Sequence, residues 1–326
     1  MRSLVVGTGS YAPSKVLSNA DLETMVDTTD AWIQERTGIK ERRIAAPEQA
    51  TSDLALEASR RALDMAGLAA ADVEAIVVGT VTPDHQFPST AALVQGKLGN
   101  KRAFAFDVSA ACAGSLYALA VADRFVASGA VKNALVIGAD TLSRITDYKD
   151  RNTCILFGDG AGAMVLKPSD EPGRGLSTIR IHTDGSLAHI LVQPGGGSRD
   201  PITPEMAASG RQYVTMNGRE VYKVAVRSLE ESCREVLAAE GLATTDVTYV
   251  IAHQANKRIL DATLDRLAIP ATKCWMNLEK YGNTSAASVP MTLDEANRAG
   301  WFKPGDVILM MAIGGGMAWG ASVLRW

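Results

Sequence analysis

Cys112 is the residue in this sequence best set up for covalent chemistry. It stands in Asp107-Val108-Ser109-Ala110-Ala111-Cys112-Ala113-Gly114-Ser115, directly before an Ala/Leu-rich stretch that reads as a helix. A thiol at a helix N-terminus feels the positive end of the macrodipole, which predicts a stabilised thiolate. The small residues around it leave room for an acyl group on sulfur. Most free cysteines are buried small hydrophobes, and Cys154, Cys233 and Cys274, which lack such a turn, are assigned to packing.

His253 ends an apolar run and opens His253-Gln254-Ala255-Asn256-Lys257-Arg258. In an α/β protein that position points into the crevice where ligands bind, although a structural histidine reads equally well on this stretch alone. His85, His182 and His189 receive the structural reading. Asn283, in Tyr281-Gly282-Asn283-Thr284-Ser285-Ala286-Ala287-Ser288, reads as a helix N-cap, and Gly282 and the small residues after it also suit a backbone needing close approach. Gly314-Gly315-Gly316 follows the last long apolar run, where consecutive glycines can aim bare N–H groups at an oxyanion. Gly7-Thr8-Gly9-Ser10-Tyr11-Ala12 matches a dinucleotide-binding pattern, but Pro13 falls where the phosphate-binding helix should continue.

The elements that must position these residues are short β-branched runs alternating with Ala-rich helical stretches. Strands are expected at 75–79, 134–138, 249–252 and 307–311, and at the N-terminus from Met1 to Gly7, which reads as a strand and not as a signal peptide. Helices are expected near 53–66, 113–128, 219–240 and 285–299. Continuous apolar strands covered by helices make this an α/β fold with buried sheets. Gly67-Leu68-Ala69 and Asp72-Val73 recur at Gly241-Leu242-Ala243 and Asp246-Val247, an offset of 174; farther on, Gly129 and Lys132 pair with Gly300 and Lys303 at 171. The three-residue drop is assigned to a shorter loop in the second half, and the 171 offset sets Cys112 opposite Asn283. Duplication predicts two similar halves, 1–172 and 173–326, joined at the polar stretch Lys167–Gly175 with a site between them.

Composition narrows the class. The 326 residues suit about two domains. A hydrophobic content of 47% with 21% charged residues is that of a folded globular chain. Net charge is −3, so no general nucleic-acid binder is expected. No apolar run approaches the length of a membrane span. The scattered cysteines suit a reducing cytosol, hence a cytoplasmic protein, and the histidines form no metal-ligand spacing.

Taken together, the motifs resemble the β-ketoacyl-[acyl-carrier-protein] synthase III family of the thiolase-like superfamily. The resemblance spans essentially the whole chain. It rests on Asp30–Ile39, the Cys112 segment, Leu156-Phe157-Gly158-Asp159-Gly160-Ala161-Gly162-Ala163, His253–Asn256, Gly282–Ser288 and the glycine triplet. It implies a duplicated five-layer α-β-α-β-α fold, a homodimer, and a Cys112–His253–Asn283 triad that condenses an acyl-CoA with malonyl-acyl carrier protein. The same resemblance puts the oxyanion on the N–H groups of Cys112 and Gly315. It places Trp32 and Arg151 about the adenine of CoA, Arg36 at its phosphates, and Gly218 and Asn256 along the pantetheine. Leu156, Phe157 and Ile313 would line the acyl pocket, with Phe87 reaching in from the neighbouring subunit. Lys223, Gln254, Lys257 and Arg258 would receive the carrier protein. No metal or redox cofactor is implied. The chain departs from the family pattern at Asn152, where glycine is common, and at Ile313, where phenylalanine is common, so acetyl-CoA is expected less firmly than the reaction type. Rival readings are a condensing enzyme loading an unusual primer, a nucleotide-dependent oxidoreductase using Gly7–Ala12, and a non-catalytic acyl-CoA binder.

Overall fold

The computed structural model describes residues 2–326; Met1, the first residue of the expected N-terminal strand, lies outside them. Two sheets dominate. The first runs in the order Arg2–Tyr11, Asp159–Ser169, Ala134–Thr141, Ala75–Gly79, Phe104–Val108, and the second in the order Gly175–Thr183, Ala318–Arg325, Val307–Gly314, Tyr249–Ala252. The second order repeats the first strand for strand, apart from the additional edge strand Phe104–Val108. In both, the first two pairings in this order are antiparallel and the remaining ones parallel.

Five layers follow from which faces are apolar. Helices Gly114–Ala127 and Ser288–Arg298 lie between the sheets, their Leu116, Leu119, Val289 and Leu293 sharing a core with Val77, Ile251, Ile308 and Met310. Helix Thr51–Ala66 covers the outer face of the first sheet through Leu54, Ala58 and Ala62. Helices Gly218–Ala239 and Lys257–Leu267 cover the outer face of the second through Val226, Leu229, Leu260 and Leu264. Truncating one such leucine to alanine costs about 2–5 kcal/mol, so the central pair of helices is a rigid support for whatever stands at its N-terminal ends.

The glycines of the dinucleotide-like pattern have another use, and the register of the repeat is corrected. Gly7 and Gly9 do not form a phosphate loop after a strand: both lie inside Arg2–Tyr11. A Cβ at either would sit 2.3 Å from a backbone oxygen, that of Ala62 for Gly7 and of Ala58 for Gly9. The glycines let a helix lie directly on the strand. The three-residue drop between the halves is inside the central helix, 14 residues in the first half and 11 in the second, and not in a loop. Register at the helix start is therefore 174: the turn Ala111–Ala113 corresponds to Ser285–Ala287, and both turns open on a non-glycine residue in the left-handed region, Ala111 at φ 45° and Ser285 at φ 52°. Cys112 thus corresponds to Ala286, not to Asn283.

Candidate active site

Cys112 occupies the tight turn ahead of helix Gly114–Ala127, and the close approach that makes the turn possible comes from glycine. A Cβ on Gly314 would sit 2.3 Å from the Cys112 nitrogen, and one on Gly138 2.0 Å from the Ala286 carbonyl oxygen. The two halves meet at these points. The sulfur is buried, and loss of hydration pushes the thiol up to about 12; the Ser285 and Asn283 side chains pull the other way, while the buried Asp140 carboxyl adds to the rise. The thiolate expected from the macrodipole is therefore not the resting state. The helix proper begins two residues later, at Gly114, and desolvation outweighs a dipole effect of about 0.3–2 kcal/mol.

His253 follows strand Tyr249–Ala252 and donates its backbone N–H to the Met311 oxygen (2.8 Å), continuing the pairing of the parallel strands. Its ring is buried, with Nδ1 unpartnered among the described residues, and burial lowers its pKa to about 3. The imidazole is neutral at any working pH, able to donate one N–H but not to hold a proton charge.

Asn283 is fixed on three sides. Its N–H donates to the Leu156 oxygen (2.8 Å), its carbonyl accepts from Gly158 (2.9 Å), and its side-chain Oδ1 accepts the Ser285 N–H (2.8 Å). With Oδ1 used to cap its own turn, the Nδ2 group is the part left for the cavity. Capping and chemistry, which compete in the sequence, are served by opposite ends of one amide.

Cys112, His253 and Asn283 all line one cavity of about 730 Å³, together with Trp32, Arg36, Leu156, Phe157, Gly218, Lys223, Asn256, Arg258 and Ile313. The three candidate catalytic residues are buried, while Arg36, Lys223 and Arg258 are exposed. The cavity is thus a passage from a basic rim to a dry interior. Arg151 is not on the wall but lies over Trp32, its guanidinium carbon 4.8 Å from the ring centroid, and it donates to the Asp27 oxygen (2.8 Å). Gly315 stands one residue beyond the wall residue Gly314, against Leu191. Phe87 is 88% exposed and is not part of this wall, and Lys257 is turned to Asp261 at 2.6 Å. Gln254 contradicts its assignment to the carrier protein. It is buried, with Nε2 donating to the Ala252 and Trp275 oxygens (both 3.1 Å), so it offers no surface to a partner.

Several wall residues escaped the sequence reading: Leu191, Met216, Arg219, Tyr222 and Met317. Arg219 and Tyr222 could have been found, because with Lys223 they fall at helical spacing on the exposed face of a strongly amphipathic stretch. Leu191 and Met216 belong to two-residue strands with no periodic signal. Among the described residues, no helix is long and apolar enough to cross a membrane, and no group of three or more His, Cys, Asp or Glu is placed to hold a metal.

Comparison with known proteins adds to this geometry. Residues 106–185 match the family described as 3-oxoacyl-[acyl-carrier-protein] synthase III, and residues 237–326 match its C-terminal family. The chain is 52% identical over 322 residues to the β-ketoacyl-[acyl-carrier-protein] synthase III of Caldanaerobacter subterraneus subsp. tengcongensis, covering 99% of this chain and 97% of that one. It superposes on the crystal structure of 3-oxoacyl-[acyl-carrier-protein] synthase III from Aquifex aeolicus with a TM-score of 0.92 at 48% identity, covering 99% of this chain and all of the other. The priming β-ketosynthase of the R1128 polyketide pathway is equally close in shape, with a TM-score of 0.92, but only 36% identical, covering 99% and 96% of the two chains.

Proposed function

This chain belongs to the β-ketoacyl-[acyl-carrier-protein] synthase III family, and from that premise we infer how its own residues carry out the initiating condensation of fatty acid synthesis. The reaction joins a short acyl-CoA, which we take to be acetyl-CoA, to malonyl-acyl carrier protein, giving 3-oxoacyl-acyl carrier protein, CoA and carbon dioxide. The 52% identity to the Caldanaerobacter synthase III, against 36% to the polyketide priming enzyme, favours this reading over an unusual primer.

In the first half-reaction the Cys112 sulfur attacks the thioester carbonyl. The bond from acyl carbon to the CoA sulfur breaks, the bond to Cys112 forms, and the thiol proton leaves with CoA. His253 stays neutral through this step. The N–H groups of Cys112 and Gly315 receive the oxyanion. Thioester formation on sulfur splits one difficult carbon–carbon bond formation into two steps.

In the second half-reaction the carbon–carbon bond to the malonyl carboxylate breaks. Its electron pair moves onto the thioester oxygen, where the His253 N–H and Asn283 Nδ2–H stabilise the enolate. Two fixed neutral donors in a dry site suit this task better than water. The enolate carbon attacks the acyl carbon, and the Cys112 thiolate departs. A thiol with a pKa near 12 takes up a proton readily, returning the enzyme to its resting form.

The remaining assignments follow the passage. Trp32, Arg151, Arg36, Gly218 and Asn256 hold CoA; Leu156, Phe157 and Ile313 hold the acyl group. Exposed Lys223 and Arg258 meet the acidic carrier protein, where complementary charge raises the association rate. We further propose that residues 1–172 and 173–326 are the duplicated halves, and that the enzyme works in the cytoplasm as a homodimer with Phe87 closing the partner's acyl pocket. The observation that carries the reading is the single cavity shared by a buried thiol, a neutral imidazole and an oriented amide. Intact-mass spectrometry after mixing with acetyl-CoA tests it: one acetyl group is expected on the native protein and none on Cys112→Ala. Acetylation that persists in Cys112→Ala would refute it.

A further inference from the structure

We propose that Asp140 is a positioning residue for the decarboxylation half-reaction, holding the Asn283–Ala287 turn of the second half in register with the Cys112 turn of the first. Asp140 lies near the end of strand Ala134–Thr141, fully buried, and makes no ion pair among the described residues. Its Oδ1 accepts from the Thr80 hydroxyl (2.9 Å), the Val81 N–H (2.8 Å), and the N–H and hydroxyl of Thr82 (3.2 and 2.9 Å). All four donors belong to the first half. Its Oδ2 accepts from the Ala286 N–H at 3.2 Å, and Ala286 belongs to the second.

The placement of that one bond matters. Ala286 follows Ser285, whose own N–H holds Asn283 Oδ1 and so directs Nδ2 toward the cavity. Ser285 sits at φ 52°, a strained conformation that persists only where its surroundings enforce it. The Gly138–Ala286 approach brings the turn within reach of the strand, and the carboxylate then bonds its amide. A carboxylate with five donors and no cation is costly to bury for stability alone. Its location, one bond from the turn that aims the Asn283 amide, gives that cost a use. The Ser285 hydroxyl, which makes no well-formed hydrogen bond, lies close to both Asp140 and the Cys112 sulfur and links the two electrostatically. Asp140 adds negative charge beside Cys112, which raises the thiol further.

The assignment rests on the roles given above to Cys112 and Asn283 and deepens them. Asp140→Asn is the discriminating variant. Its side-chain oxygen can keep the four donors of the first half, but its NH2 faces the Ala286 N–H and cannot accept from it. Three rates are compared with native protein: acetylation of Cys112 by acetyl-CoA, release of carbon dioxide from malonyl-acyl carrier protein, and alkylation of Cys112 by iodoacetamide against pH. The expected result is acetylation within threefold of native, decarboxylation down at least tenfold, and an alkylation profile displaced to lower pH. Equal losses in both half-reactions, no loss in either, or an unmoved alkylation profile would overturn the proposal. If Asp140→Asn does not fold, Thr80→Val is used, which removes one hydroxyl donor and keeps the carboxylate. A threefold loss of decarboxylation with unchanged acetylation then supports the assignment, and parallel losses overturn it. Native protein that forms no acetyl-Cys112 would instead refute the underlying reading of the site.

Discussion

Gly314 and Cys112 touch backbone to backbone: a side-chain carbon on the glycine would stand 2.3 Å from the cysteine nitrogen. Strand Val307–Gly314 of the second half therefore determines where Cys112 of the first half can sit. Gly314→Ala must push the Cys112 turn or the strand aside. Overpacking of this kind costs about 1–3 kcal/mol, and the displacement falls on the atoms that receive the oxyanion. The expected outcome is a folded protein, somewhat less stable to heat, whose acetylation by acetyl-CoA falls more than a hundredfold. Near-native acetylation in this variant would show that the turn has slack the packing does not reveal.

The protonation state of Cys112 gives a second prediction. Because burial raises the thiol to about 12, alkylation of the substrate-free enzyme by iodoacetamide should climb about tenfold per pH unit from pH 6 to 9 without levelling. A plateau with its midpoint near neutrality would mean that the macrodipole prevails over desolvation after all.

His253 supplies a third, in stability. Its pKa falls from 6.5 to about 3 on folding, so between those values the unfolded chain binds a proton that the folded chain refuses. The contribution is fully present above pH 6.5 and is lost as pH falls toward 3, by up to about 1.4 kcal/mol per pH unit. His253→Gln keeps an N–H donor and cannot titrate. In chemical denaturation at pH 7 and pH 5, native protein should lose more stability between the two than this variant does; equal losses would argue against a buried neutral ring. In activity, His253→Gln should retain more decarboxylation than His253→Ala, while both acetylate Cys112.

How much of this could be read in the chain depended on whether a signal was local. Strands Ala75–Gly79 and Tyr249–Ala252 end where their apolar runs end, because a strand buried on both faces needs an unbroken run. The second central helix was placed three residues early, at 285 against Ser288, since the left-handed Ser285 turn ahead of it has the composition of a helix. The deletion between the halves was assigned to a loop because Gly129 and Gly300 both end their helices in the left-handed region, which hides a shortening upstream. Gly7 and Gly9 resembled a phosphate loop because close helix packing and close phosphate packing call for the same residue. The resemblance assigns Gln254 to the carrier-protein surface, and its bonds to the Ala252 and Trp275 oxygens show it turned inward. The thiol of Cys112 was misjudged because a macrodipole is visible in one segment, whereas desolvation is produced by walls contributed from both halves.

The contact between Trp32 and Arg151 leads to the last prediction. The guanidinium carbon is 4.8 Å from the indole centroid, whereas a flat ring clasped between the two needs about 7 Å, two layers of van der Waals contact. In the CoA site proposed above, the purine enters only if Arg151 lifts away, giving up its stacking on Trp32 and its bond to the Asp27 oxygen. What it regains against the purine is a stacking interaction of about 0.5–1 kcal/mol at an exposed position. Removing the side chain therefore has two opposed effects, an easier opening and a weaker closed state. For Arg151→Ala the weaker closed state should prevail in KM, raised about two- to fivefold for acetyl-CoA with kcat little changed, because the triad is untouched. Acetyl-pantetheine, which lacks the nucleotide, should be used equally well by native and variant protein. Should KM for the truncated substrate rise in parallel, Arg151 would be acting on the architecture of the passage and not on the purine.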